Sequence, residues 1–161
     1  MTDPGVTTYL EMRDRPALQV TPPHRSGMLL RLAEPTVSFY RYLRTVTGEE
    51  AHEDDAAIAE LLADPGIEVF VLSMAGTPAG WFQLDRRSAG EVELTHFGFV
   101  PEFTNRGLAR YLLAAAVEAA WDHRPARLWV RVPGGIGAHR LLDYQWAGFT
   151  PYRVGRDEED G

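Results

Sequence analysis

The sequence predicts a mixed α/β fold whose central sheet begins as an antiparallel meander and continues through a parallel crossover. Strand-like segments at 67–74, 79–85 and 91–100 follow one another with only short turns between them, and such short connections join antiparallel neighbours. The stretch 107–123 has apolar residues at helical spacing with a wide buried stripe, and the alternating segment 127–132 comes next. A strand–helix–strand unit of this length is a right-handed parallel crossover.

The first part of the chain predicts short strands followed by two helices. Strand candidates lie at residues 7–12, 17–20 and 28–32. Pro35 opens the first helical stretch, since proline is tolerated in the first turn of a helix. A polar loop then leads to a second helix at 56–63, which Asp54 or Asp55 is suited to cap.

The last part of the chain predicts one more helix and one more strand. The helix at 138–147 ends at Gly148, and the strand follows at 149–154. Residues 156–161 form an acidic tail that we expect to be solvated. Because there are no repeats and no linker long enough to separate two units, we expect one domain over residues 1–161.

Composition excludes several classes of function. The 161 residues include no cysteine, which removes disulfides, thiolate metal sites and cysteine nucleophiles, and we expect no metal. A net charge of −7 argues against nucleic acid, whose binding relies on Lys and Arg, and suits a cationic small molecule better. No apolar run is long enough to span a membrane and no signal peptide is visible, so we expect a cytoplasmic protein without a membrane partner.

The segment 92–121 carries the strongest functional signal. It reads as a strand, a short polar loop with a glycine, and a long amphipathic helix. This order places backbone N–H groups at the positive end of a helix, where they bind phosphate or pyrophosphate. Glu93 lies on the strand, close to that position. A phosphate site beside an acid/base candidate suggests an enzyme with a phosphorylated cofactor.

The loop before the long helix reads Thr104-Asn105-Arg106-Gly107-Leu108-Ala109. It resembles the phosphate loop Arg/Gln-x-x-Gly-x-Gly/Ala of the GNAT superfamily, the Gcn5-related N-acetyltransferases, which use acetyl-coenzyme A. Gly107 and Ala109 match this pattern, whereas Thr104 stands where the family has Arg or Gln. The preceding strand and the following helix make the match more specific than six residues alone.

A second match to the same superfamily lies near the C-terminus. Residues 143–149 resemble the family signature Leu-Tyr-x-x-x-Gly-Phe. Tyr144, Gly148 and Phe149 match the signature, and Asp143 stands in place of leucine. This match makes Tyr144 similar to the tyrosine that serves as general acid in the family.

The resemblance covers about residues 35–154, with its core at 91–149, and implies both a fold and an activity. The fold is a mixed sheet of about six to seven strands with helices on both faces. The activity is direct transfer of an acetyl group from acetyl-coenzyme A to a primary amine of a small molecule or peptide, with no metal and no covalent enzyme intermediate. Many relatives are dimers, so a homodimer is an open expectation.

Other functions remain open beside this one. The alternative from another class is a non-catalytic acyl-coenzyme A-binding module or sensor of the same fold, and acyl transfer to a hydroxyl is a further rival. A P-loop or Rossmann nucleotide-binding domain is disfavoured, because the chain lacks their glycine motifs and its early meander contradicts an all-parallel sheet.

The resemblance also implies where coenzyme A would bind. Backbone N–H groups at the loop and the helix start would hold the pyrophosphate, and backbone groups of the third meander strand would contact the pantetheine arm, with Gly98 allowing close approach. The loop and helix residues are Thr104, Asn105, Arg106, Gly107, Leu108, Ala109 and Arg110. The strand residues are Phe97, Gly98 and Phe99.

Three residues are candidates for proton transfer. Glu93 is the candidate base, since its apolar neighbours should raise its pKa and since it is similar in position to the base glutamate of the histone-acetyltransferase branch. His96 is the second candidate, because imidazole titrates near neutral pH. Strand alternation turns His96 away from Glu93 unless a bulge intervenes. Tyr144 is the candidate acid that protonates the departing thiolate.

The acceptor amine is expected between the first two helices. The aromatic candidates are Phe39, Tyr40 and Tyr42. An acidic run lies nearby, at Glu49, Glu50, Glu53, Asp54 and Asp55. Aromatic rings and carboxylates together hold an ammonium group through cation–π and ionic contacts. The competing interpretation is that the aromatics fill the core and the loop is solvated, and Trp81 and Trp129 are expected in the core.

Overall fold

The computed structural model describes residues 5–18, 27–49, 51–103, 108–134 and 140–156. Four α-helices and seven β-strands follow one another in these ranges: β1 (Val6–Met12), β2 (Met28–Ala33), α1 (Val37–Val46), α2 (Asp55–Ala63), β3 (Ile67–Met74), β4 (Thr77–Asp85), β5 (Glu91–Phe99), α3 (Ala109–Trp121), β6 (Arg127–Pro133), α4 (Leu141–Ala147) and β7 (Thr150–Arg156). None of the helices in the described ranges is long and apolar enough to cross a membrane.

All seven strands belong to one sheet in the order β2-β3-β4-β5-β6-β1-β7. Strands β3, β4 and β5 form an antiparallel meander. Strand β6 then pairs parallel to β5 after the crossover through α3. The predicted mixed sheet, with its meander and parallel crossover, is confirmed.

The two N-terminal strands lie far apart in the sheet. β2 pairs with β3 at one edge, whereas β1 lies between β6 and β7 and is antiparallel to both. β1 fits this inner position because Tyr9, Leu10 and Met12 are all buried there. The strand predicted at 17–20 is not confirmed: residues 17 and 18 are not in a strand, and residues 19 and 20 lie outside the described ranges.

Each face of the sheet carries its own apolar core. The smaller core joins α1 and α2 to β3 and β4, and its buried members are Tyr40, Leu43, Ile58, Val69, Val71 and Trp81. The larger core lies under α3 and α4 and includes Phe82, Leu84, Val92 and Leu94. Alternate residues of β4 point to opposite faces, with Trp81 in one core and Phe82 in the other. Helices therefore cover both faces, as predicted.

Local capping sets where the first two helices begin. Thr36 caps α1 by accepting the Phe39 N–H at 3.1 Å, so α1 starts at Val37 rather than at Pro35. Asp54 caps α2 through the Ala57 N–H at 2.8 Å, as predicted. The Asp54 cap also fixes the end of the loop that joins the two helices.

The later helices are shorter than the sequence pattern indicates. α3 spans 109–121 rather than 107–123, and a short 3-10 helix at Pro101–Phe103 precedes the phosphate loop. α4 ends at Gly148, which adopts φ 112° as the predicted helix stop.

Candidate active site

The sheet opens between β5 and β6. Their parallel pairing joins Glu91 to Arg127, Val92 to Leu128 and Glu93 to Trp129, and no further pair follows among the described residues. Beyond this point lies a cavity of about 550 Å³. Its lining residues come from both sides of the gap: 47–49 after α1, Leu94, Thr95, Phe97, 130–134, Arg140 and Tyr144. Side chains from both faces of the sheet therefore meet at one opening.

A β-bulge on β5 determines which side chains face α1. His96 pairs with Gln83 and Leu94 pairs with Leu84, so Thr95 is the extra residue. Glu93 pairs with Asp85, two residues beyond Gln83 on β4. Because paired residues and alternate residues share a face, Glu93 and His96 lie on the same side of the sheet. The bulge that would bring these two candidates together is present.

Glu93 is held in an ion pair. Its Oε2 accepts a hydrogen bond from Arg131 Nε at 3.0 Å, and its side chain is 14% exposed. Burial raises the pKa of Glu93, while Arg131 acts in the opposite direction. The side chain of Arg131 borders the cavity, but Glu93 is not among the residues that line it.

The loop after α1 brings a second carboxylate to the gap. Glu49 lines the cavity, and its Oε2 contacts Nδ1 of His96. Arg44 Nε lies 3.8 Å from the same carboxylate. The His96 ring stacks on Trp81 with centroids 5.3 Å apart. Sequence reasoning placed Glu49 in an acidic run for the acceptor but missed its pairing with His96, because no local pattern links residues 47 positions apart.

Tyr144 of α4 forms part of the opposite wall. The tyrosine is 5% exposed, and its ring meets those of Phe97 and Phe149 at centroid distances of 6.4 and 5.6 Å. Burial raises the pKa of Tyr144 to about 12; the charge of Arg140 opposes this shift and that of Glu49 adds to it. The phenol therefore keeps its proton at neutral pH, which a proton donor requires.

The predicted pantetheine-binding residues lie on the open part of β5. Phe97 lines the cavity and its carbonyl accepts a hydrogen bond from Arg140 Nη1 at 2.9 Å. Phe99 is buried against Phe97 in an edge-on contact. Gly98 is close to a protein side chain: a Cβ on Gly98 would lie 2.9 Å from Thr47 Cβ. The glycine is thus required by the end of α1, and the close approach of the cofactor to Gly98 stays a prediction.

The predicted phosphate loop is only partly described. Thr104, Asn105, Arg106 and Gly107 lie outside the described residues. Leu108 is buried and immediately precedes α3, which Ala109 begins. Arg110 is exposed, lies over the ring of Trp146 at 4.7 Å, and pairs with Asp143 at 3.7 Å. Arg110 therefore links α3 to α4 next to the predicted anion site.

The aromatic residues predicted for the acceptor lie outside the cavity lining. Tyr40 is fully buried and donates its hydroxyl to Gln83 Oε1 at 2.7 Å. Phe39 and Tyr42 stack on each other with centroids 6.0 Å apart, and neither is among the cavity residues. The competing interpretation, in which aromatics fill the core, describes Tyr40.

The two tryptophans predicted in the core differ in burial. Trp81 is fully buried. Trp129 is only partly buried and stacks on Tyr9, with Arg127 and Arg131 over its ring at 5.3 and 5.1 Å. The core prediction is confirmed for Trp81 and wrong for Trp129, whose ring is stacked with Tyr9 and two arginines and belongs to neither apolar core.

The sequence of the chain also matches a known family. The sequence profile of the Acetyltransferase (GNAT) family matches residues 34–149. The chain belongs to the GNAT acetyltransferase family. A search of curated proteins finds no match to this GNAT protein.

Solved structures of GNAT enzymes share the fold at low sequence identity. The ribosomal-protein-S18-alanine N-acetyltransferase of Escherichia coli matches with a TM-score of 0.66 and 18% identity, over 78% of this chain and 79% of that chain. A variant of spermidine N-acetyltransferase SpeG from Vibrio cholerae gives 0.63 and 19%, over 80% and 83%. An aminoglycoside acetyltransferase from an uncultured soil metagenomic sample gives 0.61 and 12%, over 76% and 88%.

Proposed function

We propose that the protein transfers an acetyl group from acetyl-coenzyme A directly to a primary amine. The observation that carries this proposal is the opening between β5 and β6, where a cavity of about 550 Å³ has Tyr144 on one side and Glu49 on the other. A proton donor and proton acceptors thus flank a space large enough for a thioester and an amine. Family membership supports acyl transfer as the class of reaction.

The open part of β5 suits the pantetheine arm of the cofactor. Here β5 keeps its pairing with β4 on one side, while its other edge faces the gap. Backbone N–H and C=O groups on such an edge pair with an extended amide chain, as in strand addition. The start of α3 lies beyond this edge and offers N–H groups for the pyrophosphate. We assign Arg110 and Arg140 as cationic neighbours of the cofactor.

The proposed chemistry consists of one displacement with two proton transfers. The neutral amine nitrogen forms a bond to the thioester carbonyl carbon, the C–S bond breaks, and sulfur leaves with the electron pair. Tyr144 donates its proton to that sulfur, which its protonated state at neutral pH permits. The nitrogen gives up a proton to a base. Glu93 is the base predicted from the sequence, and its ion pair with Arg131 must loosen before it takes a proton.

The alternative is an acyl-coenzyme A-binding module that catalyses nothing. The ion pair of Glu93 supports it, since Arg131 occupies Glu93 Oε2 and opposes the rise in the pKa of Glu93 that burial causes. Binding and turnover have to be measured separately to distinguish this module from an enzyme.

Calorimetry with acetyl-coenzyme A, followed by thiol release with a panel of amines, tests the proposal. The panel contains spermidine, a peptide with N-terminal alanine and an aminoglycoside, because similar structures belong to enzymes named for these amines. Mass spectrometry of the product distinguishes an amide from an ester. Binding with release on an amine supports an N-acetyltransferase, binding without release on any of them favours the binding module, and absence of binding contradicts both.

A further inference from the structure

Two glutamates lie near the opening, but only one lines it. Glu49 is a cavity residue with a side chain that is 40% exposed. Glu93 is 14% exposed, is held by Arg131, and is not a cavity residue. We propose that Glu49 takes the proton of the acceptor amine and that His96 positions its carboxylate. This inference rests on the proposed function and concerns how that reaction is carried out.

The surroundings of Glu49 hold its carboxylate at the cavity. His96 contacts one carboxylate oxygen through Nδ1, and a carboxylate can only accept, so Nδ1 is assigned the hydrogen. Stacking on Trp81 fixes the imidazole ring, and Trp81 Nε1 donates to Thr47 Oγ1 at 3.1 Å. Thr47 lies two residues before Glu49. These contacts together hold β5, the end of α1 and the carboxylate of Glu49 in fixed relative positions.

Glu93 has a different environment on the same face. Its Oε2 accepts a hydrogen bond from Arg131 Nε, and protonating Glu93 would leave the guanidinium without its carboxylate. The charge of Asp85 also raises the pKa of Glu93, whereas that of His96 lowers it. Glu93 thus holds Arg131, which lines the cavity.

The proton balance closes between Glu49 and Tyr144. The amine nitrogen loses one proton to Glu49, and the departing sulfur gains one from Tyr144. Tyr144 is then reprotonated through solvent from Glu49, which returns both groups to their starting states. The two groups already interact, because the charge of Glu49 raises the pKa of Tyr144. Neutralising Glu49 removes that effect and makes Tyr144 a stronger acid at the moment when it must donate.

Several charged or titratable groups act on Glu49 from the surrounding elements. Arg44 approaches it from α1, and Glu53 pairs with Arg44 at 3.4 Å from the loop before α2. His96 contacts it from β5, and Tyr144 and Tyr40 interact with its charge from α4 and α1. The pH profile of wild-type kcat therefore reflects all of these residues together. Single substitutions are needed to show which residue causes a given feature of the profile.

The decisive variant is Glu49→Gln, measured by kcat at saturating amine from pH 7 to pH 9. Loss of a general base lowers kcat by about 10²–10⁴-fold. We expect that loss at pH 7 and a steeper rise with pH than in wild type, because the nitrogen bonded to the carbonyl carbon must then lose its one proton to solvent hydroxide, whose concentration rises with pH. The affinity for acetyl-coenzyme A should change little, since the proposed pantetheine and pyrophosphate contacts are assigned to β5 and the start of α3 and not to Glu49.

The matched control is a second glutamate–histidine pair. Glu68 Oε1 lies 2.8 Å from His123 Nε2, and neither residue lines this cavity. Glu68→Gln therefore removes the same chemical group from an equivalent pair and should leave kcat and its pH profile unchanged. His96→Asn should lower kcat in wild type but have little further effect in Glu49→Gln, since a positioning residue acts only through its partner.

The remaining outcomes each decide the inference. Glu49→Gln with wild-type kcat and pH profile, together with a large loss in Glu93→Gln, would overturn it and assign Glu93 as the base. If Glu49→Gln fails to fold, Glu49→Asp replaces it: a shortened carboxylate should lower kcat without steepening the pH profile, and a steeper profile overturns the inference. A wild type that binds no acetyl-coenzyme A, or acetylates no amine, overturns the proposed function itself.

Discussion

Strand β5 serves two purposes along its length. At its closed end, residues 91–93 pair with β6 in a parallel ladder, and the carboxylate of Glu93 forms an ion pair with Arg131. At its open end, residues 94–99 keep only the antiparallel ladder with β4 among the described strands and border the cavity. The Thr95 bulge marks the change between the two ends.

The difference shows that backbone pairing decides what a side chain on this strand can do. Where the ladder continues, a polar side chain finds a partner on the neighbouring strand. Where it stops, the strand edge and nearby side chains from α1 and α4 face an opening instead. Glu49 and Tyr144 lie at this opening although neither belongs to β5.

The largest expected effect concerns the hydroxyl group at the open end. Tyr144→Phe removes the proposed proton donor and keeps the ring contacts with Phe97 and Phe149. Loss of a general acid lowers kcat by about 10²–10⁴-fold, while acetyl-coenzyme A affinity should change little. Thiol release and calorimetry measure the two quantities.

Tyr152→Phe is the control for that substitution. Tyr152 lies on β7, is 42% exposed and is not a cavity residue, so kcat should not change. Equal activity in Tyr144→Phe and wild type would show that the open end supplies no acid from α4.

An intermediate effect is expected at Gly98. In Gly98→Ala the new Cβ would lie 2.9 Å from Thr47 Cβ, and Thr47 is held by its hydrogen bonds to Leu43 O and Trp81. Overpacking of this kind costs about 1–3 kcal/mol, which is about 2–12 °C in Tm for a chain of this size. Displacing residues 47–49 should also lower kcat, because Glu49 moves with Thr47.

Gly90 offers the comparison at the closed end. Its φ is 75°, and a Cβ there meets no atom within 4 Å. Gly90→Ala should therefore lower Tm through backbone strain of about 1–3 kcal/mol and leave kcat unchanged. If Gly98→Ala also left kcat unchanged, the helix end would not position Glu49.

The smallest expected effect is a change in Tm for Glu93→Gln at the closed end. Burial raises the pKa of Glu93 against the effect of Arg131, so its ionised form is less favourable in the folded protein than in the unfolded chain. Its contribution to stability is therefore present below the unfolded pKa and lost as pH rises through the folded value. Relative to wild type, Glu93→Gln should gain Tm between pH 4 and pH 7.

That gain should be at most about 4 °C, the shift for about 1 kcal/mol in a chain of this size. Thermal melts at the two pH values measure it, with Glu91→Gln on the same strand as the control. Glu91 is 39% exposed and pairs with Arg127. If the Tm of Glu93→Gln instead falls relative to that of wild type between pH 4 and pH 7, the ion pair with Arg131 outweighs burial.

Local patterns predicted most of the secondary structure. The helical spacing of apolar residues predicted α3, and Gly148 predicted the end of α4. The sequence offered Asp54 or Asp55 as the cap of α2, and Asp54 is the cap. The meander followed from short turns, because a connection this short cannot make the crossover that parallel strands need and so joins antiparallel neighbours. The motif around Tyr144 likewise indicated the residue that the fold places at the cavity.

Non-local features could not be predicted in the same way. Strand β1 reaches its place between β6 and β7 through pairing over more than a hundred residues of sequence, and the side-chain hydrogen bond from Arg127 to Glu11 joins residues 116 positions apart. The site shows the same limit: the bulge at Thr95, the ion pair of Glu93 and the contact between Glu49 and His96 all depend on neighbours distant in sequence.

The sequence by itself determined the mixed sheet and its crossover, because periodicity, caps and turns act between residues close in the chain. It also supplied Glu93, His96 and Tyr144 as acid–base candidates, whose roles stay predictions. Only the tertiary structure decided where the β5–β6 ladder stops and which carboxylate lines the opening. Strand pairing and side-chain packing between distant segments make that decision, and a local pattern carries no information about such partners.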